Sequence, residues 1–239
     1  ESWYDRQAAV NSILLGCSVG VAGTVLGFIF AFAVTRLSLP KWLCAAVSAV
    51  TLLPLISPPF TSSIALTLSL GPNGILLDFF GLGNFNFYGF WGTFISETLT
   101  FFPVAFMTLS TILARIDPNL EDAAYSLGAS SFKVFRTVTL PLAAPGIANA
   151  FLLVFSCSLA DFATPQVLGG HSFPVLPTQA YLVITGMYDF KGGAALSFML
   201  LIPAIIVYSL QRWWVGKKSY VTVSGKAGGR SSVKGPGPL

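Results

Sequence analysis

The sequence predicts an all-α integral membrane protein, a polytopic helical bundle with about five transmembrane helices. Three observations support this. First, 54% of the 239 residues are hydrophobic and only 9% are charged, with a mean hydropathy of +0.75. A typical globular domain is about 25% charged, so these side chains cannot cover a water-facing surface. Second, the charges are separated by long apolar stretches. Third, the basic residues are distributed unequally between alternate loops.

The composition also excludes several other classes. The calculated pI is about 9.1, but thirteen Lys and Arg residues are too few and too scattered for a nucleic-acid-binding domain. The hydrophobic content excludes a disordered chain, and three cysteines exclude a disulfide scaffold. No metal-ligand spacing accompanies Cys17, Cys44 and Cys157, so we interpret them as small apolar packing residues and predict no metal site.

Five segments are predicted to span the bilayer because each provides about 20 mainly apolar residues. Their approximate bounds are 10–35, 42–70, 91–114, 142–163 and 192–212. The second span is predicted to be kinked, because it contains Pro54, Pro58 and Pro59.

Two further segments are predicted to be loops. Residues 162–188 contain several Pro and Gly, which would leave backbone groups unpaired in lipid, so we expect a loop with a short re-entrant or interfacial helix. Residues 71–91 begin with a Gly- and Pro-containing turn and continue into an aromatic run. Aromatic side chains favour the headgroup level, which predicts an interfacial loop there.

The distribution of Lys and Arg predicts the orientation. Eleven of these residues fall on one side of the predicted bundle, whereas Arg6 and Lys191 fall on the other. Basic residues resist translocation, so the side with eleven is predicted to be cytoplasmic.

The predicted cytoplasmic loop at residues 115–141 has strong local signals. Asp117 is a good N-cap and Pro118 fits the first helical position. Gly128 is predicted to end this helix in a left-handed conformation. Apolar residues repeat at helical spacing on one face: Leu120, Ala123, Ala124 and Leu127.

A second short helix is predicted to follow in the same loop. Ser130 or Ser131 caps it, and Leu140 and Pro141 end it before the next span. Its apolar side is formed by Phe132, Phe135 and Val138. The first helix of the loop has two interpretations: it packs under its own membrane domain, or it docks in a groove of a partner.

The loop also resembles a known motif. The segment DAAYSLG, followed by nine residues and VTLP, resembles the EAA loop, EAA(x3)G(x9)IxLP, of permease subunits of binding-protein-dependent ABC importers. Asp122 stands in place of the motif's Glu and Val138 in place of its Ile. Glu121, next to Asp122, leaves the exact position of the acid open.

This resemblance implies the type I importer permease fold, called MetI-like, over roughly residues 10–212. In that family the EAA loop forms a coupling helix that sits in a cleft of an ATPase subunit and transmits its closure to the membrane helices. The resemblance assigns this coupling role to the residues at the matching positions: Glu121, Asp122, Ala123, Ala124, Leu127, Gly128, Leu140 and Pro141.

The chain itself is expected to be non-catalytic. It contains no P-loop, and its single His, His171, forms no nucleophilic constellation with Ser and Asp. We therefore expect no cofactor in this chain, with ATP and Mg used by a partner ATPase subunit. Two other classes remain as alternatives: a secondary transporter or channel without an ATPase partner, and a structural membrane protein.

A narrower resemblance concerns the solute. The segments SLADFATPQVLGG and RWWVGKKSY resemble the ferric-iron permease branch, although Ala163 stands where that branch commonly has Gly. Relatives of that branch serve 2-aminoethylphosphonate, polyamines (putrescine or spermidine), or thiamine. The branch often has fused tandem permeases, so we expect the first half of one, with a second permease half and a periplasmic substrate-binding protein as partners.

Glu97 and Asp161 are the candidates for contact with the solute. They are the only acids inside or at the edge of predicted spans, where ionisable groups usually face the bundle interior or water. The alternatives are a helix-to-helix hydrogen bond for Glu97 and, for Asp161, a cap on the turn before Pro165. His171 is interpreted as a loop residue and not as an iron ligand.

The expected organisation follows from these points, with the chain placed in the bacterial inner membrane. Residues 1–9 form a periplasmic start, 10–212 the transmembrane permease domain with the loop 115–141, and 213–239 a flexible cytoplasmic tail or linker rich in Gly, Ser and Lys. We expect an upstream helix or anchor before this chain and a further segment after the linker. The partners are ATPase subunits, the binding protein, a second permease half and the lipid bilayer, but no nucleic acid.

Overall fold

The computed structural model describes residues 3–71, 74, 79 and 87–217. Its helices are α1 (Trp3–Arg36), α2 (Lys41–Ile56), α3 (Pro59–Leu70), α4 (Phe90–Arg115), α5 (Pro118–Ser126), α6 (Ser131–Ala160), α7 (Leu176–Thr185) and α8 (Phe190–Lys217). The predicted all-α membrane bundle is confirmed. The tail was predicted to begin at residue 213, which is wrong because α8 continues to Lys217. The rest of the predicted tail and most of the predicted interfacial loop at 71–91 lie outside the described residues.

Four helices, α1, α4, α6 and α8, are long and apolar enough to cross a membrane. A fifth span is present if α2 and α3 are taken together, which agrees with the predicted number. The predicted kink is a break: the segment Thr61–Leu70 lies at 101° to Lys41–Ile56. Pro58 and Pro59 cause it, because a proline disfavours the helical conformation of the residue before it and cannot donate a backbone hydrogen bond.

Helix α1 begins at Trp3, earlier than the predicted position 10. Its first turns are held by the chain that leads into α7. The Asn11 side-chain amide donates to the carbonyl of Pro174 at 2.9 Å, and the Leu176 N–H donates to Ser12 Oγ at 2.8 Å. Backbone groups in residues 162–176 are thus paired partly with side chains of α1. This pairing allows the irregular segment to lie against the bundle.

The segment between α6 and α8 has the predicted loop character. A wide turn covers Pro165–Gly169, a short 3₁₀ turn follows at Gly170–Ser172, and α7 is a single ten-residue helix. At ten residues α7 is too short to cross a bilayer, which takes about 20 helical residues.

The core of the bundle is the contact of α1 with α4 and α6. A Cβ atom on Gly27 would lie 2.6 Å from Ala105 Cβ and 2.7 Å from the Phe106 backbone nitrogen. A Cβ on Gly20 would lie 2.7 Å from the ring of Phe151. The glycines on this face of α1 recur at i, i+4, i+7 and i+11: Gly16, Gly20, Gly23 and Gly27. Small residues at such spacing allow helix backbones to approach closely, which is how helices associate in lipid.

Polar side chains join the same helices inside the bundle. The Ser158 hydroxyl on α6 donates to Glu97 Oε2 on α4, and both residues are buried. One residue earlier in α4, the hydroxyl of Ser96 lies 3.3 Å from that of Ser63 on α3. Interhelical hydrogen bonds of this kind supplement the packing of helices in a membrane.

Helix α6 differs from the prediction. We expected the second helix of the loop to end at Leu140 and Pro141, but the helix runs without interruption from Ser131 to Ala160, so that end was wrong. A wide π turn at Phe135–Thr139 precedes the proline, and the Leu140 N–H donates to the carbonyl of Phe135. A π turn can be inserted into a helix without ending it, and it commonly marks a functional site.

The close approach at Gly27 leads to a first prediction. We expect Gly27→Val to lower the free energy of unfolding by about 1–3 kcal/mol or more, because the added carbons overlap the backbone of α4. Thermal unfolding of the detergent-solubilised chain measures this. The matched control is Cys17→Val on the same helix, where the side chain is exposed; we expect a change within about 0.5 kcal/mol. Equal losses for the two variants would show that the glycine is not required.

The bond between α4 and α6 leads to a second prediction. Ser158→Ala removes the donor to Glu97 Oε2, so we expect a loss of about 1–3 kcal/mol in the free energy of unfolding. Ser156→Ala is the matched control on the same helix, since its exposed hydroxyl donates only to the carbonyl of Leu152, four residues earlier. Equal losses in the free energy of unfolding for the two variants would show that the Ser158 hydroxyl contributes no more than a hydroxyl bonded within its own helix.

Candidate functional site

The predicted loop helix is α5, and its two ends are formed as the sequence indicates. The Asn119 N–H donates to Asp117 Oδ1 at 3.0 Å, which caps the first turn. At the other end Gly128 has φ of +80°, the left-handed conformation. The Gly128 N–H donates to the carbonyl of Tyr125 and the Ala129 N–H to that of Ala124, which is the Schellman arrangement. The N-cap and the terminal glycine are confirmed.

Helix α5 buries none of its own side chains. Leu127 is 89% exposed, and the neighbouring Phe132 at the start of α6 is 72% exposed. We define the docking face as the exposed large apolar residues of this region, which do not all lie on one side of α5: Leu120, Tyr125, Leu127 and Phe132. An apolar cluster presented to solvent at the end of a helical bundle marks an interaction surface. Of the two interpretations of this helix, the exposure favours docking on a partner.

The two adjacent acids of α5 point in different directions. Glu121 Oε1 lies 3.1 Å from Arg36 Nε at the end of α1, and it accepts a hydrogen bond from the Thr139 hydroxyl at 2.7 Å. Arg36 Nη2 also lies 3.5 Å from the carbonyl of Ile116, just after α4. Asp122, by contrast, is exposed. The acid that is open to a partner is thus the one at the position of the motif's Glu.

The structure separates the eight predicted coupling residues into two groups. Six of them, 121–124, 127 and 128, lie together on α5 or at its end. Leu140 and Pro141 lie on α6, beyond the π turn, and both are exposed. The stretch from Gly128 to Pro141 therefore contains the chain reversal after α5, the first turn of α6 and the π turn.

The two solute-path candidates lie near the C-terminal end of α6, away from α5. Glu97 is fully buried between α4 and α6, whereas Asp161 follows the last turn of α6 and is half-buried. Asp161 Oδ1 accepts from the backbone N–H groups of Ala163 at 2.9 Å and Thr164 at 3.4 Å, which caps the turn before Pro165.

Each of these acids also has one carboxylate oxygen that no described residue contacts by a hydrogen bond. Among the residues that the structure describes, Glu97 Oε1 and Asp161 Oδ2 are buried and lack a hydrogen-bond partner, as does the buried hydroxyl of Thr164. A buried polar group without a partner is costly and needs an explanation. Within that part of the chain there is no group of three or more His, Cys, Asp or Glu side chains arranged to hold a metal ion.

Sequence reasoning missed three residues at these sites. Arg36 was used only to count charge for the orientation, although it pairs with Glu121. Thr139 and Ser158, which donate to Glu121 and Glu97, gave no signal at all. A hydroxyl in an apolar helix is common, and its partner is known only once the helices are packed.

Solved structures share this fold. A chain of the inward-facing MetNI methionine ABC transporter matches with a TM-score of 0.71 at 18% identity, covering 90% of this chain and 96% of that one. A bacterial alginate ABC transporter in complex with an alginate pentasaccharide-bound periplasmic protein matches with a TM-score of 0.75 at 16% identity, covering 90% and 81%. The fold is therefore the MetI-like fold of type I importer permeases.

Curated relatives are similar in sequence. A ferric transport system permease protein of Actinobacillus pleuropneumoniae is 40% identical over 94% of this chain and 33% of its own length. A putative ferric transport system permease protein of Haemophilus influenzae is 39% identical over 94% and 36%. The chain thus spans about a third of the length of these two relatives. A molybdenum transport system permease protein of Haemophilus influenzae is 34% identical over 85% of this chain and 92% of its own.

A family model, described as the binding-protein-dependent transport system inner membrane component, matches residues 23–219. The match begins within α1 and includes the whole of α5 and α6. From the helical fold, the exposed loop helix and these similarities, it follows that the chain belongs to the family of binding-protein-dependent transport system inner membrane components.

Proposed function

We propose that this chain is a permease unit of an ATP-driven ABC importer in the bacterial inner membrane. It forms part of the translocation path for a solute that a periplasmic binding protein delivers. It docks on an ATPase subunit through α5, and the ATPase subunits, not this chain, bind ATP and Mg and hydrolyse the nucleotide.

The observation that carries this proposal is the exposure of α5. The helix is capped at both ends, yet none of its side chains is fully buried in its own domain. Its docking face presents Leu120, Tyr125 and Leu127. A short rigid helix with exposed apolar anchors fits a groove on a partner.

The charge distribution supports the orientation of this helix towards the cytoplasm. Arg36, Arg115 and Arg136 lie at the same end of the bundle as α5, and α5 is attached there through Glu121. Lys191 lies at the start of α8, at the opposite end. Soluble ATPase subunits are available only on the cytoplasmic side, which is the side that basic loops prefer.

Ferric iron is the proposed solute. The support is the similarity, at 39 and 40% identity over 94% of this chain, to two ferric transport permeases. The alternatives are 2-aminoethylphosphonate, a polyamine or thiamine; a spermidine/putrescine transport permease is 27% identical over 87% of the chain. Because this chain spans about a third of the ferric relatives, a second permease half is proposed to complete the path, either in tandem or as a second copy.

Glu97 and Asp161 are proposed to line the path. Both have a buried oxygen without a partner among the described residues, and an acid inside a membrane domain usually faces a solute or water route. Their other oxygens are used structurally, by Ser158 and by the turn at Ala163. In each acid one oxygen is held by this contact, and the proposal assigns the other oxygen to the solute.

The turn after α5 leads to a third prediction. Gly128 has φ of +80°, and a Cβ atom there would meet no described atom within 4 Å, so a side chain at this position is strained by the backbone alone. We expect Gly128→Val to disrupt coupling, since a β-branched residue in this conformation costs roughly 1–2 kcal/mol and distorts the reversal. Gly128→Asn, which tolerates the left-handed conformation, is the control and is expected to retain coupling.

The measurement is solute uptake together with ATP hydrolysis in proteoliposomes that contain the chain, its ATPase subunits and its binding protein. Uptake and coupled hydrolysis that are unchanged in Gly128→Val would rule out a docking role for α5. An importer that needed no ATPase, such as a secondary transporter, would also give that result.

The proposed solute leads to a fourth prediction. In the same proteoliposomes, binding proteins loaded with ferric iron, 2-aminoethylphosphonate, spermidine or thiamine are compared. We expect the ferric-loaded protein to stimulate ATP hydrolysis and the others not to do so. Stimulation by another carrier alone would reject iron.

The two acids provide a further comparison within this experiment. Asp161→Asn and Glu97→Gln are expected to lower iron uptake at least about tenfold, because each removes a carboxylate from the proposed path. Asp189→Asn, at the start of α8, is the charge control. Normal uptake in both variants would restrict Glu97 and Asp161 to structural roles.

A further inference from the structure

The two neighbouring acids of α5 have different surroundings, and this difference has a functional meaning. Asp122 is exposed, while Glu121 is 15% exposed and faces the bundle. Successive residues of a helix are about 100° apart, so two adjacent acids point in different directions. Asp122 is thus accessible to a partner that approaches α5, whereas Glu121 is already bound by this chain.

Glu121 joins three elements of the bundle to α5. Its Oε1 atom forms an ion pair with Arg36 Nε on α1 at 3.1 Å, without the alignment of a hydrogen bond, and accepts a hydrogen bond from the Thr139 hydroxyl on α6 at 2.7 Å. Arg36 extends the contact to the end of α4, where its Nη2 atom lies 3.5 Å from the carbonyl of Ile116. Arg36 is 13% exposed and Thr139 is buried, so the contacts are largely shielded from water, which strengthens them.

Aromatic packing reinforces the same junction. The ring of Phe135, at the start of the π turn, lies edge-on to Phe32 of α1 with centroids 5.5 Å apart and an interplanar angle of 86°. Phe28 is 6.1 Å from the same ring. Phe135 and Thr139 are the two ends of the π turn, so one wide turn of α6 supplies both the aromatic contact with α1 and the hydrogen bond to Glu121.

These contacts fix the position of α5, because α5 has little apolar packing against the bundle. A helix that buries no side chain receives little stabilisation from apolar burial, so its position depends on its chain connections and on the carboxylate of Glu121. A force applied to the docking face then reaches α1 through Arg36 and α6 through Thr139. Helix α1 is itself packed closely against α4 and α6 through its glycines.

We infer that Glu121 is a positioning residue: by binding Arg36 and Thr139 it fixes α5 to α1 and α6, so that the docking helix and the ends of these spans move as one body. This inference rests on the proposed docking of α5 on an ATPase subunit. It divides the acids of the loop between two tasks, with Asp122 available to the partner and Glu121 transmitting the movement.

The attachment can be tested in the chain alone. Cys17, Cys44 and Cys157 are first replaced by Ala, and a spin label is placed on Ala123→Cys, which is exposed on α5. In nanodiscs, Glu121→Gln and Thr139→Val are expected to increase the mobility of the label. Asp122→Asn, the matched control, is expected to leave it unchanged. Equal mobility in Glu121→Gln and Asp122→Asn would overturn the inference.

The transmission is tested in the assembled transporter. Arg36→Glu and Glu121→Arg are expected to lower the import of iron per ATP hydrolysed about tenfold, within the 5–150-fold range of allosteric coupling, while the ATPase subunits still co-purify. The double variant restores opposite charges at the same two positions and is expected to recover most of the coupling. Lys191→Glu, at the opposite end of the bundle, is the charge control.

Two results of this second test would contradict the inference. Loss of the ATPase subunits from the purified Glu121→Arg complex would make Glu121 a docking residue. Assembly that is normal, with no recovery in the double variant, would remove the role of the ion pair. If the unaltered chain retains no ATPase subunit, the proposed function fails, and the label mobility in the chain alone still decides whether Glu121 attaches α5.

Discussion

The close approach of α1 to α4 and α6 is the constraint on which the rest of the structure depends. In lipid there is little hydrophobic gain from bringing helices together, so association relies on van der Waals contact and interhelical hydrogen bonds. The glycines of α1 allow that contact, and a Cβ at Gly27 would overlap the backbone of α4. Because α1 is fixed along its length, both of its ends are available as attachment points: Asn11 and Ser12 for the α6–α7 loop, and Arg36 for α5.

Ionisable side chains are few in this bundle, and two carboxylates join its helices. In the interior, Glu97 joins α4 to α6 through Ser158. At the end that carries α5, Glu121 joins that helix to Arg36 and Thr139. A charged group inside or at the edge of a membrane domain is costly unless it is paired, so such contacts are either structural or functional. Here one carboxylate oxygen of Glu97 is satisfied and, among the described residues, the other is not.

The same fold serves transporters of very different solutes. The methionine and alginate transporters share it with this chain at 16–18% identity and TM-scores of 0.71–0.75. The fold therefore carries the general machinery, and the solute depends on local chemistry. For this chain, α5 and its attachment are proposed to be part of that machinery, and Glu97 and Asp161 to supply the local chemistry.

The sequence by itself determined the features that depend on neighbouring residues. Long apolar segments predicted the spans, Pro54, Pro58 and Pro59 a kink in the second span, and Asp117 and Gly128 the ends of α5; the loop motif identified the family. Only the tertiary structure decided which of Glu121 and Asp122 faces the bundle and which hydroxyl meets Glu97. It also showed that α6 continues through Pro141 by means of a π turn. The physical reason is that caps and breaks are set by residues a few positions apart, whereas the partners of a buried carboxylate depend on how distant helices are rotated and spaced when they pack.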